Sequence, residues 1–169
     1  NYREINGLVY DFLNPYQDSN LLINANNSII ANDNTIPNII YNNYSSANNS
    51  LSIANIGVST PVIISKSTDI DVLEKDLDKG AVYYPGSVLP GQNGQIIILG
   101  HSAPPNWPRI KHDYIFSDIE KLNIGDKIVL NFNNINYTYR VIGKKIITPG
   151  QDIQMPSLAK NNNILTLVS

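Results

Sequence analysis

Between Gly94 and Gly100 the chain carries Gln95 and then four large apolar residues in succession, Ile96, Ile97, Ile98 and Leu99. A run this short, β-branched and bounded by glycines predicts a strand buried on both faces rather than a helix. Asn163-Ile164-Leu165-Thr166-Leu167-Val168-Ser169 predicts a second apolar strand, still running where the sequence stops. Leu51, Ile53, Ile56 and Val58, followed by Pro61 to Ile64, predict a strand, a kink at Gly57 and a further strand segment. Ile70, Leu73 and Leu77, three and four apart among charges, predict a short amphipathic helix from Asp69 to Asp78. Ser67-Thr68-Asp69 would cap it and Gly80 would stop it. Tyr114 to Leu122 reads as a short helical piece ending at Asn123. Gly125-Asp126 turns into a strand from Lys127, and Tyr137, Tyr139 and Val141 alternate with polar residues in a strand paired back across Asn133-Asn134 as a hairpin. A loop with Pro149-Gly150, Asp152 and Pro156 leads into the last strand.

Many short strands, little helix and no alternation of the βαβ kind predict a mainly β fold, a closed or nearly closed barrel with one or two short helices. Residues 1–50 differ in character. Asparagine dominates, with Asn26-Asn27, Asn42-Asn43 and Asn48-Asn49 in tandem, and Asn6-Gly7 and Asn14-Pro15 are turn signals. This part reads as an irregular polar linker that lies against the domain in places, with 51–169 as the domain proper. The last strand is expected to end the barrel as an unpaired edge.

Composition narrows the function classes. The 169 residues allow one domain with a core plus a tail, and 42% hydrophobic content is ordinary. A formal net charge of −2 gives no footprint for nucleic acid, and no basic run suggests contact with a membrane surface. No apolar run approaches the roughly 18 residues of a membrane span. The chain contains no cysteine, which excludes disulfides and thiolate metal sites within it. Because it starts with Asn1, it reads as a processed or trimmed piece.

His101 directly follows the first strand. A histidine there is held by the core yet reaches solvent, which suits a general acid/base; a surface histidine that happens to follow a strand is the plainer reading. His112, between Lys111 and Asp113, reads as solvated. The two histidines have no ligand-like spacing, Asp152 alone is little to build a calcium site on, and neither a metal nor a cofactor is expected. Ser102 adjoins His101 too closely in sequence for a hydrolase pair, and no Gly-x-Ser-x-Gly elbow exists.

Leu99-Gly100-His101 and Thr166-Leu167-Val168-Ser169 together resemble the sortases, the cysteine transpeptidases of bacterial cell surfaces. Their hallmark strands end in Leu-Gly-His and in Thr-Leu-x-Thr-Cys, and this chain matches the second up to the cysteine. The pattern Leu51-x-Ile53-x-x-Ile56-Gly57-Val58-x-x-Pro61, the stretch from Gly80 to Tyr84-Pro85, and Gly125-Asp126 fit the same family. The resemblance runs from Leu51 to Ser169. The segment between His101 and Phe116, with Pro104-Pro105-Asn106-Trp107-Pro108, is longer than usual and leaves the class open.

The resemblance implies a two-step acyl transfer at a Leu-Pro-x-Thr-Gly-like sorting signal, with a cell-wall or pilin amine as acceptor. His101 would be the acid/base, a cysteine would stand directly after Ser169, and an arginine would lie on a further strand. Leu99, Trp107, Thr166, Leu167, Val168 and Ser169 would contact the peptide, with Trp107 anchoring one wall. The site would face outward from the bacterial membrane, held by an anchor upstream of this chain. Without cysteine the chain itself is expected to be inactive. The alternative is a sortase-like barrel that binds peptides without cutting them.

Overall fold

The structure, a computed structural model, describes residues 8–13, 46, 48–104, 106–108, 110, 112–147 and 157–169. Among these are strands β1 (Leu8–Leu13), β2 (Ser50–Ile53), β3 (Val58–Ile64), β4 (Ala81–Tyr83), β5 (Gly94–Leu99), β6 (Lys127–Phe132), β7 (Ile135–Ile146) and β8 (Asn163–Val168). One α-helix, α1 (Ile70–Leu77), and three short 3-10 turns complete the set. The strands close a barrel in the order β1-β7-β6-β2-β3-β4-β5-β8.

Alternation sets which residues fill it. Leu51 and Ile53 from β2, Ile96 and Ile98 from β5, and Leu165 and Leu167 from β8 are fully buried in one core. Each contributes about 1.5–3 kcal/mol of transfer free energy. In β5 the other face, Ile97 and Leu99, is half-buried, so the expected two-sided burial holds for one face alone. Asn133 and Asn134 have φ of 49° and 65°, the left-handed pair that a two-residue hairpin turn requires and that asparagine tolerates. They join β6 to β7 with Phe132 opposite Ile135.

Several local readings differ from the structure. The kinked strand around Gly57 is a hairpin: β2 and β3 pair antiparallel, joined by a 3-10 turn that ends at Gly57 with φ 66°. The piece from Tyr114 to Leu122 is a series of turns with 3-10 helix at Ile119–Lys121, because its N–H groups bond three residues back (Ser117 to Tyr114, Ile119 to Phe116, Leu122 to Ile119) and Phe116 N–H donates to the His101 carbonyl, although the buried Ile115, Phe116, Ile119 and Leu122 do fall at a helical spacing. One βαβ unit is present, since β3 and β4 run parallel across α1. Helix α1 lies on the surface with no fully buried residue, and Ile70 is 70% exposed. Gly80 is required just after it, as a Cβ there would meet the Pro61 carbonyl oxygen at 2.4 Å.

The Asp69 carboxylate accepts a hydrogen bond from Asp71 N–H at 3.0 Å, capping the helix as its sequence predicts. Asp69→Ala is expected to cost about 1 kcal/mol. In a chain of this size that corresponds to a melting temperature lower by roughly 2–4 °C, which calorimetry would register; an unchanged transition would show the cap to be idle.

Strand β1 comes from the Asn-rich part, most of which lies outside the described residues. It runs antiparallel to both neighbours, with Leu8 opposite Ile146 of β7 and Val9 opposite Val168 of β8. The expected bare edge on β8 is therefore absent: β8 is paired by β5 on one side and β1 on the other.

Candidate active site

The two hallmark strands lie side by side. β5 and β8 pair in parallel, from Gly94 opposite Asn163 to Leu99 opposite Val168. Parallel pairing sends both chains out of the barrel at the same end. It continues one step past the strands, where Gly100 N–H donates to the Val168 carbonyl at 2.9 Å. His101 and Ser169 thus leave the sheet at one rim, each half-buried.

The start of β8 is fixed by a buried amide. Asn163 Oδ1 accepts from Gly91 N–H at 3.1 Å and from the Tyr139 hydroxyl at 2.5 Å, while its Nδ2 donates to the Gln92 carbonyl. One carboxamide ties β8 to β7 and to the turn before β5. Burial pushes the Tyr139 phenol far above its usual value, so it stays a neutral donor.

The residues expected to touch a peptide separate into two groups. Leu167 is fully buried and points into the core opposite Ile98. Thr166 is also fully buried, and its hydroxyl accepts from Gln95 Nε2 at 2.7 Å. Neither side chain is open to a ligand; both build the wall. Leu99 and Val168, opposite each other on the outward face, are half-buried and lead toward His101 and Ser169. Gln95 was not singled out by sequence, although a glutamine opening an otherwise apolar strand is the signal that marks it.

Beyond Gly100 the chain is shaped by Phe116. A Cβ on Gly100 would fall 2.4 Å from Phe116 Cδ2, so glycine is needed for the ring to cover this end of β5. Phe116 N–H donates to the His101 carbonyl at 2.9 Å, which fixes the histidine's backbone. Trp107 is 40% exposed and does not anchor its loop in the core; Ile115 and Phe116 hold that position. His112 is half-buried in a turn, not fully solvated. Among the described residues no three His, Asp or Glu side chains gather where they could hold a metal ion, and Asp152 lies outside the described residues. Among the same residues no helix is long and apolar enough to cross a membrane.

Residues 51–169 match the family model described as "Sortase domain". Sortase D of Bacillus subtilis is 31% identical over 97 residues, which cover 57% of this chain and 41% of that protein. Sortase A of Bacillus anthracis is 32% identical over 99 residues, covering 59% and 41%. Each match spans about two-fifths of the relative's length. Sortase A from Corynebacterium diphtheriae shares the fold, with a TM-score of 0.54 at 24% identity over 73% of this chain and 52% of that one. The matched domain takes in both hallmark strands, and the chain belongs to the sortase family.

Proposed function

We propose that the protein is a transpeptidase of the sortase type, in which this chain supplies the barrel, the acid/base histidine and most of the peptide groove. The observation that carries the reading is the parallel pairing of β5 with β8, which brings Leu99-Gly100-His101 alongside Thr166-Leu167-Val168-Ser169. A residue following Ser169 in that register comes opposite His101. A cysteine there is the proposed nucleophile.

The chemistry follows from those positions. A free thiol has a pKa of about 8.5, so at neutral pH a neighbouring imidazolium is needed to favour the thiolate. The thiolate attacks the carbonyl carbon of the threonine in a Leu-Pro-x-Thr-Gly-like signal, and the tetrahedral intermediate collapses as the C–N bond to the glycine breaks. His101 gives its proton to the departing amine, leaving a thioester. The acceptor amine then attacks the thioester and loses a proton to His101, and the thiolate departs as the new amide forms. An arginine on a further strand would stabilise the oxyanion in both halves. Leu99, Val168 and Ser169 form the floor of the groove, Thr166 and Leu167 support it from within, and the loop carrying Trp107 is one wall. Such a reaction belongs at the outer face of the bacterial membrane, with surface proteins as donors and a cell-wall or pilin amine as acceptor.

The 169-residue chain contains no cysteine and is expected to form no acyl adduct with a Leu-Pro-x-Thr-Gly peptide. A longer form with cysteine after Ser169 should show the adduct by mass spectrometry. An adduct on the cysteine-free chain would overturn the assignment of the nucleophile. Binding with no acylation in the longer form would make the barrel a peptide-binding module.

A further inference from the structure

Strand β1 lies outside the matched domain yet completes its barrel. The family model covers residues 51–169, whereas β1 is Leu8–Leu13, and residues 14–49 separate it from β2. Its two neighbours are the last two strands, β7 and β8, and it runs antiparallel to both. The other edge of β8 is paired by β5, and the other edge of β7 by β6. The gap between β7 and β8 is therefore one strand wide, and it is the single place beside β8 for any strand other than β5. β1 fits that gap unevenly. Against β8 its register is continuous, from Val9 opposite Val168 to Leu13 opposite Ile164. Against β7 it slips between Asp11, opposite Gly143, and Phe12, opposite Val141, which interrupts the ladder of backbone bonds.

We propose that β1 is an autoinhibitory strand: it occupies the place that the arginine-bearing strand must take, and the two exclude each other. The inference rests on the further strand of the transpeptidase reading above. A chain that leaves β8 at the rim and turns back along it runs antiparallel to β8, in the same sense as β1. Strands that follow one another through a short connection pair more often than not. While β1 is seated, that pairing is blocked. β1 is no substitute for the strand it excludes, since Leu8–Leu13 contains no arginine and its one charged residue is the acid Asp11. Its long tether does not stop it from competing, because the entropy of closing a loop rises only slowly with length. Release of residues 8–13 is then the step that lets an oxyanion-stabilising arginine reach the rim.

A strand flanked on both sides turns each N–H to one neighbour or the other, so a proline within it removes a ladder bond. Tyr10 is the place to put one, because both registers are regular there. In the 169-residue chain Tyr10→Pro is expected to lower the melting temperature. The peptide acetyl-Gly-Leu-Val-Tyr-Asp-Phe-Leu-amide, with the sequence of residues 7–13, should restore it saturably and move the amide resonances of Leu165 to Val168. The same peptide with proline in place of tyrosine should do neither. Should Tyr10→Pro fail to fold, Val9→Gly weakens the strand more mildly and takes its place in the test. In a longer form that carries the cysteine and the further strand, the variant should bind the peptide about tenfold or more weakly than the shorter variant does. It should also transfer the acyl group about tenfold faster than the longer parent, with the donor KM little changed. Failure of the peptide to restore the shorter variant would overturn the proposal, as would equal peptide affinity in the two lengths. So would an active longer form that Tyr10→Pro slows or leaves unchanged. Absence of an acyl adduct from both longer forms counts against the transpeptidase reading, while the peptide measurements, which need no catalysis, still decide whether the two strands exclude each other.

Discussion

In a form of the protein that carries a cysteine after Ser169, His101→Ala is expected to lower turnover by about 10²–10⁴-fold. His112→Ala should leave it nearly unchanged. The difference lies in where the two imidazoles stand. His101 directly follows Gly100, whose N–H is bonded to the Val168 carbonyl, so its backbone is tied to the strand that leads to the proposed position of the nucleophile. His112 lies in the turns before Phe116 and has no such link to β8. In the proposed mechanism, loss of the His101 ring removes the proton donor for the leaving amine and the cation that favours a thiolate, so acylation and transfer should both slow. Single-turnover acylation and steady-state kcat would measure this, with melting temperature as the control, since a half-exposed side chain carries little of the core. If both alanine variants behaved alike, His101 would lose its assigned role.

How much of this was legible in the sequence depends on how local each signal is. The apolar runs of β5 and β8, the paired asparagines at 133 and 134 and the Asp69 cap are encoded within a few residues, and the fold follows them. The shared rim is not encoded within either hallmark strand; it follows from their parallel pairing, because parallel neighbours must exit at one end. Burial of Thr166 was not legible, since its hydroxyl partner is Gln95 on another strand. The course of Tyr114 to Leu122 was not legible because its four core residues keep a helical spacing, while Phe116 N–H bonds the His101 carbonyl, a partner that nothing within the segment announces. Strand β1 was hidden by its surroundings. Leu8-Val9-Tyr10 and Phe12-Leu13 are good strand formers between two turn signals, Asn6-Gly7 and Asn14-Pro15, but the asparagine-rich composition around them pointed to a linker. Nothing in those six residues says that the barrel has a place for them between β7 and β8.

Gly100→Ala is expected to cost about 1–3 kcal/mol from overpacking and to shift the loop that starts at His101. The new Cβ would lie 2.4, 2.5 and 2.9 Å from three atoms of the Phe116 ring, which is itself 1% exposed within the core. A phenyl ring turns about only two torsions, so the clash is relieved by moving the backbone around Phe116. That motion strains the bonds from Phe116 N–H to His101 and from Ala103 N–H to Ser117, each contributing on the order of 1 kcal/mol. Roughly 2–4 °C of melting temperature should be lost for each kcal/mol in a chain of this size. Trp107 emission should change as well, because the loop that carries it hangs from those two bonds. The cause can be isolated by making room: with Phe116→Leu in place, the added methyl group finds space, and the second substitution should cost less than it does alone. A coupling of about 0.5–3 kcal/mol in that double-mutant cycle is the expected sign of direct contact. Additive losses, or a Gly100→Ala chain that melts like the parent with unchanged Trp107 emission, would show that the ring does not cover this glycine.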